Sequence, residues 1–88
     1  MIVYLNGTFL PIEEAKISVL DRGFIYGDGV YELIPVYGRR AFRLPQHLAR
    51  LQRSLEGIRL ANPHSPAEWT SIIEALMAAY SDIMRMSV

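Results

Sequence analysis

A chain of 88 residues with nine basic and nine acidic side chains has no net charge to lay along a nucleic-acid backbone or an anionic membrane. It has no cysteine, which excludes a disulfide framework and a thiolate metal site. At 51% hydrophobic residues, one small domain carries more apolar side chains than its own core needs, and the surplus predicts an interface; a monomer with a rich core is the plainer alternative.

The chain opens Met1-Ile2-Val3-Tyr4-Leu5, which is strand-like and lacks the basic start of a signal peptide. No apolar run approaches the ~20 residues of a membrane helix, so the expectation is a soluble cytoplasmic protein. Asn6-Gly7 separates that strand from Thr8, Phe9 and Leu10, and this dipeptide between two β-prone runs predicts a hairpin. Pro11 ends the second strand because it has no ladder donor. Residues 12–15 read as a connector and 17–19 as a short extended piece. Three glycines in residues 23–29 suit a tight loop.

Residues 30–34 form a β-prone run that continues through Pro35 to Val36 and Tyr37. Gly38-Arg39 then turns the chain into residues 40–43, giving a second hairpin with Pro35 at an edge or a bulge. Leu48, Leu51, Leu55 and Ile58 recur at spacings of three and four, which predicts a helix with Pro45 in its first turn and Gly57 weakening its last. A second helix is marked by Ser65, Pro66 and Glu68, a capping box with proline at the first helical position. Its apolar face is Trp69, Ile72, Ile73, Leu76, Met77, Tyr80, Ile83 and Met84. Strands followed by helices predict an α+β fold: one domain spanning 1–88, an antiparallel sheet with two helices packed on one face.

Common catalytic signatures are absent: no G-x-S-x-G elbow, no phosphate-binding Gly-Lys-Ser/Thr loop, no H-E-x-x-H. His47 and His64 lie on different elements without carboxylates at ligand spacing, so surface or capping roles are expected and no metal. The 23–29 loop could cradle an anion on backbone N–H groups, with an ordinary loop as the simpler account. Arg39, Arg40 and Arg43 form a basic knot that a solvated hairpin tip explains equally well. Arg50, placed near the start of the first helix and to the side of its leucine face, could aim a guanidinium at a phosphate; an exposed helical arginine is the alternative. Tyr31 and Glu32 are neighbours in the extended run and should point to opposite faces, with a core tyrosine as the alternative.

Together these pieces form a pattern that none supplies alone. Asp21-Arg22-Gly23-Phe24-Ile25-Tyr26-Gly27-Asp28-Gly29-Val30-Tyr31-Glu32 resembles the D-R-G-(aromatic)-x-(aromatic)-G-D-G-(V/L)-(Y/F)-E segment of class IV aminotransferases. Val36-Tyr37, Phe42-Arg43-Leu44, His47-Leu48-Ala49-Arg50-Leu51, Ser54-Leu55 and Ile58 follow in the family's order, and the Tyr4-Leu5-Asn6-Gly7 hairpin also fits. The resemblance is close over residues 2 to 62 and looser over the second helix. Tyr31-Glu32 leans toward the D-amino-acid branch, although 4-amino-4-deoxychorismate lyase shares much of the stretch.

The resemblance implies a two-domain fold that uses pyridoxal 5′-phosphate, assembles as a homodimer and moves an amino group between an amino acid and a 2-oxo acid. On it, residues 1–88 would be the N-terminal small domain. Arg50 would bind the cofactor phosphate, Tyr31 the substrate carboxylate, and Glu32 with the 27–29 loop would shape the same wall. The family's catalytic lysine and its acidic partner for the cofactor ring nitrogen lie on the second domain, beyond position 88, and Lys16 is out of place in the motif order. The chain alone is therefore expected to be inactive and to bind cofactor weakly or not at all. Pro35 departs from the family pattern in the strand behind Tyr31. Beyond Leu76 the match ends, and Met84-Arg85-Met86-Ser87-Val88 reads as a cut or frameshifted end. The rival readings are a non-catalytic domain that self-associates through its apolar helix, and a fragment of an aminodeoxychorismate lyase.

Overall fold

The computed structural model describes the backbone of residues 1–87 and the side chains through Tyr80. Ile2–Leu5 (β1) and Thr8–Pro11 (β2) pair antiparallel, with Leu5 opposite Thr8 and Ile2 opposite Pro11. Asn6 and Gly7 make the turn with φ of 50° and 87°, the two positive values that match the twist of a two-residue hairpin. Tyr4 and Phe9, a cross-strand pair, bring their rings to 4.9 Å between centroids. A single 3₁₀ turn, Ile12–Glu14, follows.

A short helix, Arg22–Tyr26 (α1), occupies the first part of the glycine-rich stretch expected to be a loop. Asp21 caps it, its Oδ1 accepting the Gly23 N–H at 2.8 Å, and Gly27 ends it in the left-handed region. Residues 17–19 are not a strand; Ser18 starts a turn, its Oγ accepting from Leu20 N–H.

The second hairpin is shorter than expected. Val36–Tyr37 (β3) pairs with Arg40–Ala41 (β4) across Gly38 and Arg39, both at positive φ. Pro35 joins this ladder only as an acceptor, taking the Phe42 N–H at 2.8 Å, which is the one backbone bond a proline can make there. Residues 30–34 lie in no ladder among the described residues, so the fold has two small two-stranded sheets in place of one. The segment still alternates like a strand: Val30, Glu32 and Ile34 are half-buried while Tyr31 and Leu33 are exposed. The fold is α+β, as its element pattern implies.

Leu44–Gly57 (α2) carries Pro45 in its first turn. Leu48 and Leu55, each 7% exposed, are the buried apolar side chains among the described residues. Leu51 is half-buried between them, whereas Ile58 falls past the helix end and is exposed. Pro66–Ser87 (α3) begins with the expected capping box: Ser65 Oγ accepts the Glu68 N–H at 3.2 Å, and Glu68 Oε1 accepts the Ser65 N–H at 2.8 Å. Its half-buried face of Trp69, Ile72, Ile73, Leu76, Met77 and Tyr80 packs on β1 and α2. Ile83 and Met84, placed on the same face by the sequence, lie outside the described side chains. The Tyr80 hydroxyl donates to the Ile2 carbonyl and ties α3 to β1. At the turn before α3, Asn62 accepts from the Trp69 indole N–H at 2.8 Å and donates to Gln52 Oε1 at 2.9 Å, locking α3 to α2.

The core this builds is thin. The chain exposes 7004 Å², against about 5,200 Å² for a compact monomer of its mass. With so little burial, local devices should carry a large share of the stability. Ser65→Ala is expected to cost about 1 kcal/mol of unfolding free energy, measured by urea denaturation followed by circular dichroism.

Candidate functional site

The extended segment 30–34 runs beside α2, and its alternation decides what each side chain meets. Tyr31 faces outward, 81% exposed, which excludes the core-tyrosine reading. Glu32 faces inward, its side chain 7% exposed. The sequence places these two on opposite faces of the segment, and so they are. The resemblance puts Glu32 on the substrate wall with Tyr31, but its carboxylate lies on the other side of the segment, against α2.

There Glu32 meets two residues of one helical face, His47 and Arg50, spaced three apart. Arg50 donates from Nε to Glu32 Oε1 and Oε2 at 3.1 and 3.0 Å, and from Nη2 to Oε1 at 2.5 Å. His47 Nδ1 lies 2.7 Å from the same Oε1. A carboxylate only accepts, so the short contact assigns the proton to Nδ1 and makes His47 the donor. The 3.5 Å approach of Arg50 Nη2 to His47 Nδ1 is then a meeting of two donors and not a bond.

Three donors on one shielded carboxylate favour its charged form. The bonds from Arg50 first, and His47 second, hold the Glu32 pKa at about 2, below the ordinary 4.5. Glu32 in turn pushes Arg50 further up. Arg50 is the seventh of the fourteen residues of α2, roughly 9 Å along the axis, so the helix N-terminus adds little to its field. Its side chain is 57% exposed, and no protein group bonds its Nη1 among the described residues. One edge of the guanidinium is held and the other faces out, which fits the doubly acceptor geometry of a phosphate group.

The glycine-rich stretch does not make a second anion site. Asp21 takes the Gly23 N–H, and Arg22 is closed onto Asp28, with Nε at 2.9 Å and Nη2 at 2.8 Å from Oδ2. Two carboxylates there repel an anion, and the Asp21 bond occupies the N–H that would cradle it. The basic knot is a solvated hairpin tip, with Arg39, Arg40 and Arg43 exposed and the Arg43 guanidinium 5.4 Å from the Phe42 ring centre. No cluster of metal-ligating side chains occurs among the described residues, and no helix there is long and apolar enough to cross a membrane.

His47 is the residue that sequence reasoning missed. Taken alone it is an ordinary surface histidine; its place three residues before Arg50, opposite an acidic inward position, is the signal that joins them. His64 is not a bare surface residue either: its ring meets Trp69 edge-on at 4.7 Å and Tyr4 at 6.1 Å.

Fold and site therefore define a small α+β unit with a braced, outward-facing arginine on α2 and an exposed tyrosine on the opposite face of the neighbouring segment. Residues 29–86 match the amino-transferase class IV family. The chain is 39% identical over 75 residues to a D-alanine aminotransferase of Staphylococcus aureus and 37% identical over 75 residues to one of Staphylococcus epidermidis, in each case across 85% of the chain. It is 38% identical over 73 residues, 83% of the chain, to a putative branched-chain-amino-acid aminotransferase of Methanocaldococcus jannaschii. The chain belongs to the class IV aminotransferases. It spans about a quarter of these relatives, 27% of the staphylococcal and 25% of the archaeal protein.

Folding lowers the Glu32 pKa from 4.5 to about 2, so the unfolded chain takes up this proton first as pH falls. The stability the ionised carboxylate contributes is complete above pH 4.5 and is lost as pH falls toward 2. In urea melts across that window the wild-type midpoint should fall more steeply with acid than that of Glu32→Gln. Parallel curves would show that the carboxylate is unbraced.

Proposed function

We propose that residues 1–88 form the cofactor-phosphate side of a pyridoxal 5′-phosphate-dependent transaminase, the N-terminal small domain of a two-domain, homodimeric enzyme. Its substrates are an amino acid, D-configured by the Tyr31-Glu32 signature, and a 2-oxo acid. The observation that carries this reading is Arg50: an exposed guanidinium whose inner edge is already held, at the position to which the motif resemblance carries the phosphate ligand. Pyridoxal phosphate, when bound, supplies the electron sink that lets an amino acid lose its α-proton. Arg50 anchors the phosphate, and so fixes where the cofactor sits relative to the wall bearing Tyr31. Tyr31, exposed on the opposite face from Glu32, offers a hydroxyl to the substrate carboxylate. The catalytic lysine comes from outside this span, and the 88-residue chain by itself carries out no transamination.

The surface surplus of about 1,800 Å² over a compact monomer supports the two-domain, dimeric reading. So do the exposed Leu20, Phe24 and Tyr26 at α1 and Leu33 in the extended segment, which a further domain or subunit would cover. The same surface is what a self-associating, non-catalytic domain would show, and a functional graft separates the two. In the Staphylococcus aureus D-alanine aminotransferase, the stretch matched by this chain is replaced with the present sequence. The expected chimera transfers the amino group of D-alanine to 2-oxoglutarate, and Arg50→Gln within it weakens pyridoxal phosphate binding by on the order of tenfold or more. A folded, dimeric chimera without turnover would contradict the assignment.

A further inference from the structure

The Glu32 carboxylate poses a physical question at a phosphate-binding arginine. A negative charge beside the guanidinium opposes an incoming anion, so a site built for charge alone would leave it out. Position acts in the other direction. Arg50 is more than half exposed, and an unbraced side chain of that length loses rotamer freedom whenever it binds. Glu32 removes that freedom beforehand by holding Nε and Nη2, the side edge of the fork. His47 fixes the carboxylate in turn through Oε1, and its own side chain is 16% exposed and stands one helical turn before Arg50. The end edge of the fork, Nη1 with the outer proton of Nη2, is left facing away from Glu32.

Resting on the phosphate-site reading above, we propose that Glu32 and His47 are positioning residues that orient Arg50 to receive a phosphate monoester end-on. The carboxylate and the phosphate then share one guanidinium, on different edges, and do not compete for it. Glu32 strengthens anion binding despite its charge.

The sign of one substitution distinguishes this from simple charge balance. The probes are pyridoxine 5′-phosphate, which lacks the aldehyde that would modify lysine side chains, and pyridoxine as the phosphate-free control. Binding to the cofactor-free form of the chimera described above is followed by the Arg50 Nε–H signal in ¹⁵N-resolved NMR. In the wild type the phosphate ester should shift this signal, pyridoxine should not, and the Nε–H should stay protected from exchange in the bound state. Glu32→Gln should weaken the ester by on the order of tenfold. His47→Ala should weaken it in the same direction, with His47→Asn, which keeps a nitrogen donor near the place of Nδ1, restoring most of the loss.

Tighter or unchanged binding by Glu32→Gln would overturn the proposal, as would loss of Nε–H protection in the wild-type complex. The second result needs no variant and decides the matter if Glu32→Gln fails to fold. Undiminished binding by Arg50→Gln, or no wild-type response to the ester, would instead overturn the phosphate-site reading itself. A collapsed amide spectrum of the unsubstituted chimera would overturn the proposal along with the fold it stands on.

Discussion

Between the extended segment 30–34 and α2 there is no backbone ladder and little buried apolar surface, and the carboxylate of Glu32 spans that gap. It takes donors from His47 and Arg50, fifteen and eighteen residues later in the chain, and so sets where the segment sits against the helix. The period of two along the segment does the rest. Once Glu32 is turned inward, Tyr31 must face out. The placements of Tyr31 and Arg50 thus follow from one ion pair. Such a pair contributes modestly where solvent reaches it, and half of this one is exposed. Its value here is geometric more than energetic.

The thin core gives that constraint its weight. With Leu48 and Leu55 as the buried apolar side chains among the described residues, α2 and α3 are held by a few specific bonds: the Ser65-Glu68 box, the Asn62 bridge to Trp69 and Gln52, and the Tyr80 hydroxyl on Ile2. The large exposed surface goes with this thin core, and the chain spans about a quarter of the relatives it matches. That surface is what the proposed two-domain, dimeric reading would cover, and the outward-facing Arg50 is part of it.

Much of this was legible in the residues. Asn6-Gly7 dictates the first hairpin because both positions accept positive φ, and Ser65-Pro66-Glu68 marks the α3 start through reciprocal capping bonds. The leucine spacing finds the buried face of α2. What sequence alone misjudged depends on partners. Residues 30–34 have the composition and alternation of a strand, but a strand needs a neighbour, and among the described residues none lies alongside. The glycine-rich loop holds a helix because Asp21 caps it, a local bond that propensity for glycine hides. Arg50 was visible as a motif residue; its brace was not, because the meeting of Glu32 with His47 is a tertiary fact with no local periodicity to announce it.

The central claim is that Glu32 and Arg50 act as a unit joining the extended segment to α2. A double-mutant cycle measures that directly: urea unfolding of the wild type, Glu32→Gln, Arg50→Gln and the double variant at neutral pH. Coupled residues give a double variant no less stable than the worse single one, since removing the first partner already removes the bond. Losses that simply add would contradict the account and leave the segment held by something else.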